Sequence, residues 1–338
     1  MIHPTGNVGL ARPFLSIIMP VYNHEKLVGR AIRSCLEQSF GDFEIVAVDD
    51  GSQDQSAAVI ASFDDPRVRL VRHDQNRGVC PTRNTSMAHA RGEWFVFFDS
   101  DDELLPGALE SIHRRAVAAP PDVGGLRFMC IDERGTSPDP PHDDSIWDYE
   151  AFLRWFNVAF RRRYEALPCM CSSFYPAVQF PDDRSWELLF HLELLQRTNV
   201  QACREIVRRY HHHLGERITA PSLSRSLLVM TDIARNNEIV LARHGEAIRR
   251  SAPAWYRAFV AGAATAAFVS GNRRSGVHLG LAAVRLRPFN VRLWLILLLG
   301  LMGRYPLLVL QWVNREIHRR VQSVTRQFRH VELPTPAR

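Results

Sequence analysis

The sequence predicts an α/β protein, with a mostly parallel sheet covered by helices on both faces and an all-helical C-terminal extension. Three observations lead there. From Phe14 to Phe98, short apolar, β-branched and aromatic runs alternate with amphipathic stretches, which is the order of repeated βαβ units. Those runs carry too few polar side chains to leave one face in water, so they suit strands buried on both sides. From Leu223 onward, apolar residues recur at the period of a helix.

Leu15 to Val21 reads as the first strand, Glu25 to Gln38 as a helix, and Phe43 to Val48 as the second strand. Ser56 to Phe63 and Cys80 to Ala90 read as helices on either side of a strand at Val68 to Arg72, and Trp94 to Phe98 is a strand that runs into acid. Asp132 to Asp148 is rich in Pro, Asp, Gly and Ser and predicts a loop. Helices are expected at Tyr149 to Arg161, Trp186 to Arg197, Leu223 to Arg250 and across Ala254 to Arg287. These elements divide the chain into an N-terminal tail (1–13), an α/β domain (14–220) and a helical region (221–338).

At 338 residues and 46% hydrophobic, the chain is long and apolar enough to bury a sizeable core. Basic residues exceed acidic ones by only 42 to 36, for a net charge of +6, and no basic stripe interleaved with aromatics runs through the first domain. No nucleic-acid partner is therefore expected. Of the six cysteines, only Cys169 and Cys171 are close in sequence, too close for a zinc knuckle and without a second pair. Reduced, buried thiols follow, and with no secretory signal visible at the N-terminus a cytoplasmic setting is expected.

The apolar stretch from Val291 to Val313 is broken by Arg304, Tyr305 and Pro306, so its unbroken core is about half the ~20 residues of a membrane span. Arg315, Arg319, Arg320, Arg326 and Arg329 follow, and tryptophans stand at 294 and 312. Two readings fit: helices in peripheral contact with an anionic membrane, or a buried or partner-binding helix pair.

The residues suited to chemistry lie at the carboxyl ends of the expected strands, where open parallel sheets hold their ligands. Pro20-Val21-Tyr22-Asn23 closes the first strand, and Asp49-Asp50-Gly51-Ser52, with Asp54 beyond, closes the second. A single side chain suffices to cap the helix that follows, so the surplus acid has another task. Asp99-Ser100-Asp101-Asp102 closes the aromatic strand, and carboxylates at i and i+2 there suit a hard divalent cation with oxygen ligands.

Together with Asn76-x-Gly78, Arg83-Asn84 and Ala90-x-Gly92, in that order between Leu15 and Leu105, these motifs resemble glycosyltransferase family 2. The resemblance implies the Rossmann-like GT-A fold and inverting transfer from a nucleoside-diphosphate sugar, a UDP-sugar before others, onto a saccharide or lipid-linked acceptor in surface polysaccharide synthesis. It implies donor contacts from Pro20, Tyr22, Asn23, Asp50, Ser52, Arg83, Asp99 and Ser100. It also implies Mn²⁺ or Mg²⁺ on Asp101 and Asp99, with His213 of the segment Tyr210 to His213 as a third ligand. The family's base, an acid at a helix start that takes the acceptor proton, falls on Glu187, with Asp183 and Asp182 as rivals. Trp186 stands where the family has a first acid, and this departure leaves open a degenerate domain that only binds a partner or membrane. A dinucleotide-binding dehydrogenase is excluded, because the turn after the first strand holds no glycine before Gly29.

Overall fold

The computed structural model describes residues 12–137, 142–159, 165–183, 187–211 and 223–308. His213 and Trp186, both singled out above, lie outside the described residues.

The first half of the sheet is built from β1 (Leu15–Val21), β2 (Phe43–Asp49), β3 (Val68–Arg72) and β4 (Trp94–Phe97). Helices α1 (Val28–Leu36), α2 (Ser56–Ala61) and α3 (Val79–His89) connect them. The order β3-β2-β1-β4 is parallel throughout, with Ile17 opposite Ile45 on one side and Val96 on the other. Because strand side chains alternate faces, β1 serves two cores. Leu15, Ile17 and Met19 join Ala31 and Ile32 of α1, whereas Ile18 joins Cys80 and Met87 of α3. Burial on both faces is why these strands read as unbroken apolar runs.

The chain continues through β5 (Glu103–Leu104), α4 (Ala108–Val117), β6 (Val123–Ile131), β7 (Ile146–Trp147), α5 (Tyr149–Ala159), β8 (Ala166–Cys171), α6 (Leu188–Leu195) and β9 (Asn199–Arg209). Beyond β4 the sheet runs β8-β6-β9-β5, with β7 also on β9. β8 is antiparallel to β4 and β6, β5 and β7 are antiparallel to β9, and β6 runs parallel to β9 through register shifts. The nine-stranded sheet is therefore mixed, and this second half brings β9 and β5 to the acidic turn after β4.

Among the described residues four further helices are α7 (Leu223–Ser251), α8 (Pro253–Ser270), α9 (Arg273–Leu286) and α10 (Val291–Met302). Two compact units result, Met1–Ala220 with Val240–Trp255, and Pro221–Ile239 with Tyr256–Arg338. In the first, Tyr149 on α5 meets His244 at 2.8 Å, and Asn157 accepts from the backbone N–H groups of Ala254 and Trp255. In the second, the helical period that runs through Ala254 to Arg287 is interrupted at Gly271, whose φ of +91° separates α8 from α9. Phe268 fills the centre of this unit, lying so close to Gly300 that a Cβ there would come within 2.4 Å of its ring.

Candidate active site

Two loops form the floor of the site. The turn after β1 and the turn after β2 are laced together by side chains that satisfy each other's backbone N–H groups. Ser52 Oγ accepts from Asn23 N (2.9 Å), Asn23 Oδ1 from Gln53 N (2.9 Å), Ser56 Oγ from His24 N (2.8 Å) and Asp54 Oδ2 from Glu25 N (3.0 Å). Asp54 also accepts from Ser56 N, at the first residue of α2. Asn23 is held at φ +53°, a conformation that asparagine tolerates better than most residues. Asn23 and Ser52 thus spend these polar atoms on loop geometry.

The surplus acid, Asp50, is 3% exposed and orders the opposite wall. Its Oδ1 accepts from Arg77 N (2.9 Å) and meets His73 Nδ1 (2.7 Å), and its Oδ2 accepts from Gly78 N (2.8 Å). Gly51 allows this approach, since its φ is +70° and a Cβ there would lie 2.7 Å from the carbonyl carbon of Gln75. Between the two walls lies an open cleft of about 650 Å³, lined by Tyr22, Gly51, Ser52, Gln53, Arg72, His73, Asp74, Gln75 and Asn76. Pro20 is half-buried near the end of β1, two residues before Tyr22.

The acidic turn after β4 is pinned from three directions. Ser100 is buried and bonds His24 Nδ1 at 2.8 Å, and the backbone carbonyl of Asp101 accepts from Arg30 of α1 at 2.7 Å. Arg83 of α3 forks between two acids, donating to Asp99 Oδ1 at 2.6 Å through one arm and to Glu187 through the other. Its guanidinium also lies over the Phe180 ring, 5.4 Å from the centroid. One buried cation therefore joins the D-x-D acid to the acid at the start of α6.

Arg208 of β9, outside every sequence motif, grips the turn from the other side. It is 3% exposed and reaches Asp102 at 3.0 Å, Glu165 at 3.1 Å, Asp99 at 3.8 Å and the Cys130 sulfur at 3.2 Å. Burial alone would push the Asp99 carboxyl up, but the Arg83 and Arg208 guanidiniums hold it below the usual range. Asp102 is moved well above that range, chiefly by its own burial and against the pull of Arg208. Burial likewise raises Glu165. Arg208 has no signal in the sequence, because β9 was not legible there.

Around the base position, His191 lies one helical turn from Glu187 at 3.9 Å, and burial pushes it down to about 4, so its imidazole is neutral at pH 7. Of the rival acids, Asp182 pairs with Arg77 at 3.5 Å, and Asp183 is near enough to Cys80 to help raise its thiol. His211 bonds Glu103 at 2.7 Å.

Among the described residues, no three or more His, Cys, Asp or Glu side chains are gathered to cage an ion. Asp99 and Asp101 nevertheless offer hard oxygen on a turn that is only half-buried. That fits a cation held by one or two carboxylates and completed by phosphate oxygens and water, the manner of Mg²⁺.

An open cleft at the carboxyl ends of β1 and β2, with an acidic turn after β4, suits a GT-A architecture. The crystal structure of S. aureus TarS 1-349 in complex with UDP-GlcNAc superposes with a TM-score of 0.59 at 16% identity over 81% of each chain, the same fold. The sequence profile of Glycosyl transferase family 2 matches residues 16–175, so this segment is similar to that family. Among similar curated proteins, the succinoglycan biosynthesis protein ExoO of Rhizobium meliloti is 41% identical over 36% of this chain and 36% of its own length. The Escherichia coli enzyme WfgD, named as a UDP-Glc:alpha-D-GlcNAc-diphosphoundecaprenol beta-1,3-glucosyltransferase, is 35% identical over 28% of this chain and 38% of its own. The chain thus spans less than half the length of the curated relatives that it matches.

Proposed function

We propose that this chain is an inverting, metal-dependent glycosyltransferase that moves a sugar from a nucleoside diphosphate, with UDP the favoured carrier, onto a saccharide or lipid-linked acceptor in surface polysaccharide synthesis. The observation that carries the reading is the Arg83 fork, in which one guanidinium joins the D-x-D acid Asp99 to Glu187. An inverting displacement needs that arrangement, with leaving diphosphate and acceptor base on opposite sides of one anomeric carbon.

In this reading Tyr22 and the Asp50-ordered wall hold the base and ribose, and Asp99 and Asp101 hold Mn²⁺ or Mg²⁺. The cation, when bound, neutralises charge that develops on the departing diphosphate. Arg83 adds fixed positive charge at the same place, and its planar fork suits phosphate oxygens as well as carboxylates. Glu187, or Asp183 four residues before it, accepts the acceptor's hydroxyl proton. TarS was solved with UDP-GlcNAc, and WfgD is named for UDP-Glc and a diphosphoundecaprenol acceptor; both are consistent with the donor and acceptor classes proposed. The α/β domain is taken to be residues 14–220 and the helical region 221–338. The test is donor hydrolysis across UDP-, GDP- and dTDP-sugars with Mn²⁺ or Mg²⁺. Turnover of one donor that Asp101→Ala abolishes is expected, and a variant as active as the parent overturns the metal assignment.

A further inference from the structure

We infer that the outer face of α10 is a docking surface for an anionic phospholipid bilayer. No helix among the described residues is long and apolar enough to cross a membrane, and α10 is not simply a core helix either. One side of it is buried: Leu293, Ile296, Leu297 and Gly300 pack within the helical unit, where Gly300 lies against Phe268 and Leu297 against Gly280. The opposite side carries Val291, Trp294, Leu295, Leu298, Leu301 and Met302. These positions follow the i, i+3, i+4, i+7 rule, so they form one continuous stripe roughly 120° wide, along a helix of about 18 Å.

The stripe is open to solvent, with Leu298 58% exposed and Met302 73%. Phe289, immediately before α10, is 97% exposed. A soluble protein seldom leaves so many large apolar side chains contiguous unless something covers them. No charged side chain interrupts the stripe; charge stands only at its edges, at Arg287, Arg292 and Arg304.

Charge decides what the cover is. Between Glu246 and Glu316 the sequence has no Asp or Glu at all and ten arginines. At the N-terminal end of α10, Arg287, Pro288, Phe289, Asn290, Val291 and Arg292 line an open hollow of about 590 Å³. Two guanidiniums there flank an outward phenyl ring, an arrangement that offers phosphate a cation while the ring enters the acyl boundary. Trp294 has its indole N–H on the Pro288 carbonyl at 2.8 Å, which presents the rest of the ring outward. An apolar stripe with arginines at its rim matches a bilayer with negative headgroups. A second copy of the chain would have to bring the same positive charge to the contact.

The inference stands or falls independently of the transferase reading. The test is flotation of the full chain with phosphatidylcholine vesicles and with vesicles containing phosphatidylglycerol, at low and at 0.5 M salt. Binding is expected only with the anionic lipid, with a blue shift of tryptophan emission that Trp294→Phe diminishes. Leu298→Glu and the double variant Arg287→Glu/Arg292→Glu alter exposed positions. Each is expected to keep the parent's circular dichroism and melting temperature and to lower partitioning at least tenfold. Equal flotation of parent and both variants, or no binding to anionic vesicles, overturns the inference. So does a dimer in sedimentation velocity that Leu298→Glu dissociates while vesicle binding is absent, since the face would then join two copies.

Discussion

Asp50→Asn tests most sharply how the cleft is built. In the parent the carboxylate is buried and receives two backbone N–H groups and an imidazole from residues 73–78, which form one wall of the cleft. The amide keeps one oxygen and replaces the other with an NH₂ group that donates where the wall also donates. At least one charge-assisted bond is lost, worth about 1.5–3 kcal/mol, and the remaining ones lose their ionic component. Half of the segment is exposed, so water can reach part of the freed groups, and a total of about 2–3 kcal/mol is expected rather than the sum of three bonds. For a unit of this size that corresponds to a fall in melting temperature of roughly 5–10 °C. Differential scanning calorimetry measures it, with Asp74→Asn, an exposed acid on the same wall, as a control expected to shift by no more than about 1 °C. Titration of UDP by calorimetry should show a loss of affinity in Asp50→Asn that exceeds the loss in Asp74→Asn. Parent-like melting and affinity in Asp50→Asn would refute the claim that this carboxylate orders the nucleotide wall.

Three further outcomes are expected. Arg83→Met removes the fork between Asp99 and Glu187 and should cut donor turnover by about 10²-fold or more, while Arg83→Lys, which can satisfy only one acid at a time, falls between; steady-state kinetics on folded variants decides. Glu44 is held below its ordinary value of 4.5, because hydrogen bonds from Arg91, Ser16 and Arg69 outweigh the burial that would raise it. Its contribution to stability is therefore complete above that ordinary value and is lost as pH falls through the depressed one, so melting curves should steepen in acid and Glu44→Gln should flatten that limb. Burial pushes the thiols of Cys80 and Cys203 to about 12 and Cys130 to about 11, and raises Cys35 and Cys169 as well. Alkylation of the native protein at pH 8, followed by mass spectrometry, should modify Cys171, the one thiol that is not buried, ahead of the other five.

The parallel half of the fold was legible in the sequence, because its strands are covered on both faces and so announce themselves as apolar runs closed by turn residues. The antiparallel half does not announce itself. β6 begins with Val123-Gly124-Gly125, where a Cβ on Gly124 would meet the Phe174 ring at 2.1 Å, and β8 carries Pro168 in its interior. Such strands are specified by partners distant in sequence rather than by their own composition. The site divides the same way. Arg83, Asp99 and Glu187 sit in motifs and are joined through the Arg83 guanidinium, whereas Asp50 bonds residues 73–78. Arg208 comes from β9, and only pairing of β9 with β5 and β6 brings it to Asp102. The burden on Ser52 and Asn23 was also hidden, since one side chain's use in lacing two turns depends on both loops being in place.

The account rests on a cleft that takes a nucleoside diphosphate together with a divalent cation. Isothermal titration of the full chain with UDP, GDP and dTDP, each with and without Mn²⁺ or Mg²⁺, tests this directly. Binding of one nucleotide that tightens when the cation is present, and that Asp101→Ala uncouples from the cation, is expected; a folded protein that binds none of them with metal supplied would contradict the account.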